Sequence, residues 1–426
     1  MKFSSPIIFC FLLGLTGFGA NSFANQGDLV FVGATLIDGT GAPPLENATL
    51  VVTDGRVRAV GPANEVGIPA NAQRIDVSGK TLMPGLINAH GHAGDTLGME
   101  AGHYSRDNLL DQLALYARYG VTTVVSLGGD DLPGIQVRNE QFTPSLQRAR
   151  IYVAGSVVNG DNAQSIRTQI NRNADMGVDF IKTRVDSELG ELPTISPDLF
   201  QSLVDLAHAR RLPVAVHIYY LEDAKMALRS GAEIIAHSVR DTTVDSEFVD
   251  LLMANEACYI PTMMRDVSTY VYEEEPDFFS DDFFLKEADP AVLAELRSAE
   301  YRSSIRSSAA SQQYKSDFPN AVANTGALHA AGVKVAMGTD TGPPARFQGY
   351  FEHLELDMMV AAGMSPMDTI YSATGLAAEC MGLTDLGTLE PGNWADILVL
   401  DENPATDIAN TRTLESVWIA GNRVPD

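Results

Sequence analysis

The sequence predicts an α/β fold: a (β/α)8 TIM-like barrel carrying a small β-sandwich domain built from both chain ends. Three observations carry this. Between about residues 82 and 340, short apolar strand patterns alternate with helical ones, giving eight strands. Both ends of the chain read instead as hairpins with no helix among them. A mature chain of roughly 400 residues also exceeds what one hydrophobic core usually serves. An open doubly wound sheet is the rival arrangement for the middle of the chain.

Residues 1–24 read as a secretory signal peptide. Lys2 supplies the positive end, an apolar run extends from Pro6 to about Leu15, and Ser22 and Ala24 are the small residues of a cleavage site. The expectation is a periplasmic or secreted protein without a membrane span, because no later stretch approaches roughly 18 uninterrupted apolar residues. Residues 25–81 form the first part of the small domain: "ATLVVTDGRVRAVG" places Asp54-Gly55 as a two-residue hairpin turn. Residues 387–426 form its second part, with "DILVLD" and "LESVWIAGNRV" as strands. Isolated hairpins are marginal, so the two ends are expected to pair.

The barrel is assigned to residues 82–386. Its strands end near "LMPGLINAH", "VTTVVSLG", "RIYVAGS", "VDFIKT", "PVAVHI", "EIIAHS", "CYIPTM" and "VKVAMGTD". Helical segments such as "SPDLFQSLVDLAHARR" and "LEDAKMALRSG" separate them, the second closed by Gly231. An insertion at about residues 264–325, containing "YVYEEEPDFFSDDFF", interrupts the last repeat. Loops of that length are functional or form interfaces, so a lid over the carboxyl ends of the strands is one reading and a solvated or homo-oligomer contact the other.

A formal net charge of −26 disfavours nucleic acid and anionic membranes as partners and says nothing about which small molecule binds. Once Cys10 leaves with the signal, Cys258 and Cys380 remain. So distant a pair is no disulfide framework and reads as two buried thiols, although an oxidising compartment permits one bridge.

Four of the eight histidines end predicted strands: His90 and His92 at the first, His217 at the fifth, His237 at the sixth. The i, i+2 spacing of His90 and His92 puts both imidazoles on one face. Asp340 adds a carboxylate at the end of the eighth strand. A lone strand histidine is usually a satisfied core residue, but four converging with an aspartate point to zinc or a similar divalent ion. Lys182, which closes the apolar strand in "GVDFIKTRVD", reads from its own surroundings as a solvated strand terminus.

"MPGLINAHGH" resembles the first-strand signature of the amidohydrolase superfamily, and "IAHS", "GTDTG" and "GTLEPGNWADILVLD" are similar to its later motifs. Within it the chain is most similar to the imidazolonepropionase-like group that includes prolidase-type (Xaa-Pro dipeptidase-like) enzymes and N-acyl amino acid carboxypeptidases. The resemblance implies a binuclear site in which His90, His92 and Asp340 hold one ion and His217 and His237 the other. It also implies that Lys182, carboxylated by carbon dioxide to a carbamate, bridges them. Burial beside cations would supply the free amine that carboxylation needs. The implied reaction is hydrolysis of an amide of a dipeptide or N-acyl amino acid by metal-activated hydroxide, with Asp340 as the catalytic acid and base.

Two departures bear on substrate. The His-x-x-Glu element of base-deaminating relatives is absent, since Ile218, Tyr219, Tyr220 and Leu221 follow His217; prolidase-like relatives often carry a second histidine where Tyr219 stands. Substrate-binding candidates are Arg184 and Tyr219, two residues beyond Lys182 and His217, and Arg240 and Arg346, just after the sixth and eighth strands. An arginine there holds a substrate carboxylate by paired hydrogen bonds, or else makes a surface ion pair. A cyclic amidohydrolase or lactonase is the alternative enzyme reading, and a metal-binding pseudoenzyme scaffold the non-enzymatic one.

Overall fold

The computed structural model describes residues 27–425; the segment read as a signal peptide lies outside them. The amino-terminal strands are β1 (Leu29–Leu36), β2 (Leu45–Thr53), β3 (Arg56–Pro62), β4 (Gln73–Asp76) and β5 (Thr81–Pro84). Near the other end lie β14 (Ile397–Leu400), β15 (Leu414–Ile419) and β16 (Asn422–Arg423). All eight join one sheet in the order β16-β15-β14-β5-β1-β2-β3, with β4 beside β1. The expected two-sheet sandwich is therefore a single mixed sheet. Its chain ends meet where β5 pairs antiparallel with β14, Met83 opposite Leu398. The reason is hydrophobic: Phe31, Leu50, Leu82, Ile397 and Val399 share a core of their own, with Trp418 edge-on to Phe31 at 5.2 Å.

Eight further strands follow in the middle of the chain: β6 (Leu86–Gly91), β7 (Val121–Ser126), β8 (Arg150–Val153), β9 (Ile181–Arg184), β10 (Val214–His217), β11 (Ile234–Ala236), β12 (Cys258–Ile260) and β13 (Lys334–Val335). They form two all-parallel sheets, β6-β7-β8 and β9-β10-β11-β12-β13. Helices intervene between most of them, and β6 and β7 are buried along their whole length, as parallel strands covered on both faces must be. The helix Pro197–Ala209 shows how the sequence specifies these layers. Ser196 caps it by accepting from Leu199 N–H, Pro197 opens it, and Phe200, Leu203, Val204 and Ala207 fall on one buried stripe.

Hydrogen bonds also cross the gaps between the two sheets. Val158 N–H donates to Lys182 O at 2.8 Å on one side; Ala89 N–H donates to Met337 O at 3.0 Å on the other. The second gap is tight because "GTDTG" carries glycine where it meets β6. A Cβ at Gly338 would lie 2.8 Å from His90 N, and one at Gly342, whose φ is +115°, would lie 2.4 Å from His92 O.

Residues 264–325 are not a bare loop: they carry short helices and an apolar core of their own, while the helix Ala299–Ser307 buries no side chain. Tyr272, Phe279, Phe284 and Leu296 pack with Tyr119, Tyr350 and Phe351 into a separate aromatic core. The long helix Ala309–Ala330 packs against the helical turn after β12 and leads down to β13, whose Lys334 pairs with Cys258 at the start of β12. Cys258 and Cys380 form a disulfide with a Cα–Cα distance of 5.8 Å, which corrects the expectation of two thiols. Among the described residues, no helix is long and apolar enough to cross a membrane.

Candidate metal centre

The site lies at the carboxyl ends of the parallel strands, where side chains leave the ladders and backbone geometry departs from regular strand. His237 and Asp340 both adopt positive φ, 75° and 57°. Such conformations are strained for residues with a Cβ and mark functional positions. Here the turn at Asp340 aims its carboxylate at β6. Asp340 N–H donates to His90 O at 2.6 Å, and His92 N–H to Thr341 O at 2.7 Å.

Below this turn lies a buried polar network. Glu352 accepts hydrogen bonds from Asn88 Nδ2 (2.6 Å), Thr339 Oγ1 (2.9 Å) and Thr341 Oγ1 (2.7 Å). One carboxylate oxygen thus ties the residue two before His90 to both neighbours of Asp340, fixing the register of β6 against the segment after β13. Nothing in the local sequence marked Glu352 or Asn88, because the network exists only once the two ends of the strand array meet.

Asp340 Oδ1 stands 2.8 Å from His92 Nε2 and 3.4 Å from His90 Nε2, and ligand atoms of the three residues all lie within 4.8 Å of one another. Nitrogen and oxygen donors sit about 2.0–2.2 Å from zinc, so neighbouring ligands of one ion are about 3 Å apart. His92 Nδ1 meets Gly128 O at 2.9 Å, the contact that orients a ligating imidazole. These residues fit a divalent ion. Asp340 is held well below the usual carboxylate range: burial opposes this, but the Arg346 guanidinium and the two histidines outweigh it.

Lys182, 3% exposed, is the second residue of β9 and reaches the same cavity, with Nζ 3.5 Å from His90 Nε2. Its environment is not the solvated terminus that the local sequence suggested. Burial pulls its ammonium down to about 7, against the attraction of Asp340 and Asp186. The rings of His217 and His237 meet edge-on at 4.1 Å, and those of His90 and His237 lie 4.6 Å apart. Burial lowers His217 to about 4 and drives His90 and His237 well below their ordinary value, so all three are neutral imidazoles, the form that binds metal. His237 Nδ1 is occupied by Thr262 Oγ1 at 2.7 Å, which leaves Nε2 for a ligand. All six residues line one cavity of about 270 Å³.

The four substrate-binding candidates separate. Arg184 lines that cavity and pairs with Glu188. Arg346 is bonded to Asp340 through both its carboxylate and its carbonyl. Arg346, Tyr219 and Arg240 are not on the cavity wall. Tyr219 donates to Asp317 and borders a different cavity, while Arg240, fully buried, lies against the Tyr219 and Tyr314 rings. Two residues absent from the sequence reading sit close by. Arg265, in the turn after β12, has Nε 4.0 Å from Asp340 Oδ2 and its guanidinium 4.3 Å above the Tyr314 ring. Asp186, four residues after Lys182, lies 3.2 Å from His217 Nε2 at ion-pair distance but outside hydrogen-bond geometry, so that both its oxygens are buried without a hydrogen-bond partner. Its i+4 position after Lys182 was the only available signal.

The amidohydrolase family model matches residues 81–424, and the chain belongs to that family, whose members depend on metal ions. An imidazolonepropionase from Deinococcus deserti is 23% identical over 416 residues, covering 89% of this chain and 92% of that protein. An uncharacterized protein of Mycobacterium tuberculosis is 23% identical over 243 residues; that match covers 54% of this chain and only 61% of the relative's length. Among solved structures, a Xaa-Pro dipeptidase with bound methionine superposes with a TM-score of 0.74 at 22% identity, covering 94% of this chain and 100% of that one. This last likeness is one of fold.

Proposed function

We propose that this protein is a metal-dependent hydrolase of carbon–nitrogen bonds that cleaves the amide of a dipeptide or N-acyl amino acid at a binuclear centre. The observation that carries the reading is Lys182: a lysine buried among four histidines and an aspartate, its amine brought near neutrality, is poised to become a carbamate. In this reading His90, His92 and Asp340 hold one ion, His217 and His237 the other, and carboxylated Lys182 both. The two sheets constitute one closed (β/α)8 barrel, a reading supported by the hydrogen bonds across both gaps.

Two divalent ions, zinc by the nitrogen and oxygen donor set, would lower the pKa of a water and polarise the scissile carbonyl. The chain's own groups do the rest. Asp340, ionised and fixed by Arg346, turns Oδ1 toward His90 and His92; it takes the proton as water adds to the carbonyl and returns it to the departing amine. Arg184, on the cavity wall, is the candidate for holding a substrate carboxylate. Export to the periplasm or beyond is part of the proposal, supported by the Cys258–Cys380 disulfide, which persists in oxidising compartments.

A panel of dipeptides, N-acyl amino acids, cyclic amides and lactones tests this directly. Linear amides are expected to turn over. Turnover of lactones or cyclic amides alone would favour the ring-opening alternative, and no turnover of any would favour a pseudoenzyme.

A further inference from the structure

The metal cavity does not end at Arg184. Asn159 and Arg184 also border a second cavity of about 300 Å³, so the two adjoin through a shared wall. The far side of the second cavity comes from the segment after β9, where Leu192, Pro193 and Ile195 face it together with Thr194. Leu192 is 36% exposed, and of the large apolar side chains left exposed in the described residues it is the one at a cavity next to the site. Exposed apolar surface against a concave wall is a place for a ligand rather than for water.

The polar groups around it are mostly committed. Thr183 Oγ1 donates to Val158 O at 2.8 Å, and Asp161 accepts from Asn162 Nδ2 at 2.7 Å. Arg184 stands at the neck with Nη1 on Glu188, Nε 3.8 Å from Asp186, and 23% of its side chain exposed. A cation at the neck and an apolar wall behind it match the two substituents of one α-carbon, a carboxylate and an aliphatic or aromatic side chain.

We propose that the cavity bounded by Arg184, Leu192, Pro193 and Ile195 is the subsite for the departing amino acid, and that it selects an apolar α-amino acid. This rests on the amide-hydrolase reading above and adds which half of the substrate lies where. The amine of the departing residue lies toward the metal cavity, its carboxylate meets Arg184, and its side chain covers Leu192 and Ile195.

Product binding tests the subsite apart from chemistry. Calorimetric titration of the metal-loaded protein with L-leucine, glycine, L-lysine and isoamylamine, which is leucine without its carboxylate, should show leucine binding tightest, by about tenfold or more over each of the others. Leu192→Asp should pull the leucine-to-glycine ratio toward one, and Arg184→Gln should bring leucine toward isoamylamine. Equal affinity for leucine and glycine, or a preference for lysine, overturns the proposal with the native protein alone, whether or not the variants fold. Tight leucine binding without cleavage of any N-acyl amino acid would support the subsite while removing the hydrolase reading. Cleavage with no preference among N-acetyl leucine, glycine and lysine would do the reverse.

Discussion

Lys182 Nζ lies 3.5 Å from His90 Nε2, each side chain almost wholly buried. Two groups that both carry a positive charge when protonated share one cavity, and burial disfavours the charged form of each. Lys182→Ala should lower the metal content by about one ion per chain and reduce kcat/KM by about 10²-fold or more. Short carboxylates such as formate or acetate should partly restore both. Metal analysis with a chemical-rescue titration checks this; unchanged metal content in the variant would remove the bridge.

Glu352 is the internal brace of the site. Glu352→Ala removes the one acceptor shared by Asn88, Thr339 and Thr341, at a cost of about 1–3 kcal/mol for each donor that their bonds to one another do not satisfy. Metal affinity should fall about 10–100-fold, as for other groups that position ligands. Glu352→Gln retains an acceptor oxygen and should recover much of both. Denaturant unfolding and competition with a chelator read the two effects separately.

The disulfide encloses the entire insertion, its two cysteines 122 residues apart. Reduction, or Cys258→Ala with Cys380→Ala, should lower stability by about 2–5 kcal/mol, because so long a loop regains much entropy in the unfolded chain. Thermal unfolding with and without reductant checks this, and an unchanged midpoint with the thiols demonstrably free would contradict it.

Glu355 gives stability a pH dependence of defined sign. Its carboxyl is buried, receives Met263 N–H at 2.9 Å and Met264 N–H at 2.6 Å, and is pushed up by burial from 4.5 to about 8. A folded value above the unfolded one means that stability is full below about pH 4.5 and is lost as pH rises toward about 8. Glu355→Gln keeps an acceptor and cannot ionise, so it should flatten this slope and gain relative to the native protein at pH 8. Urea unfolding at pH 5, 6.5 and 8 measures it. His353, lowered by burial to about 4, works the other way, since its contribution disappears as pH falls from 6.5 toward 4.

Much of this was legible because strand chemistry has short periods. His90 and His92 two apart, and strand-end positions for His217, His237 and Asp340, were enough to bring five residues to one place. Lys182 was legible only by resemblance, because its own neighbours look the same whether it ends in water or in a cavity. Contacts set by tertiary approach stayed hidden. Glu352 finds Asn88 across the strand array, Cys258 finds Cys380 across 122 residues, and the phenylalanines of "DFFSDDFF" pack inward although their acidic neighbours suggested a solvated loop. Strand alternation puts Tyr219 on the face of His217. The strand ends at His217, however, and alternation no longer holds beyond it.

Metal-dependent amide hydrolysis can be checked by counting divalent ions in the purified protein and following hydrolysis of an N-acyl amino acid before and after chelation. About two ions per chain are expected, with loss of hydrolysis as they are removed and its return on adding zinc. Fewer than one ion per chain, with hydrolysis unaffected by the chelator, would contradict it.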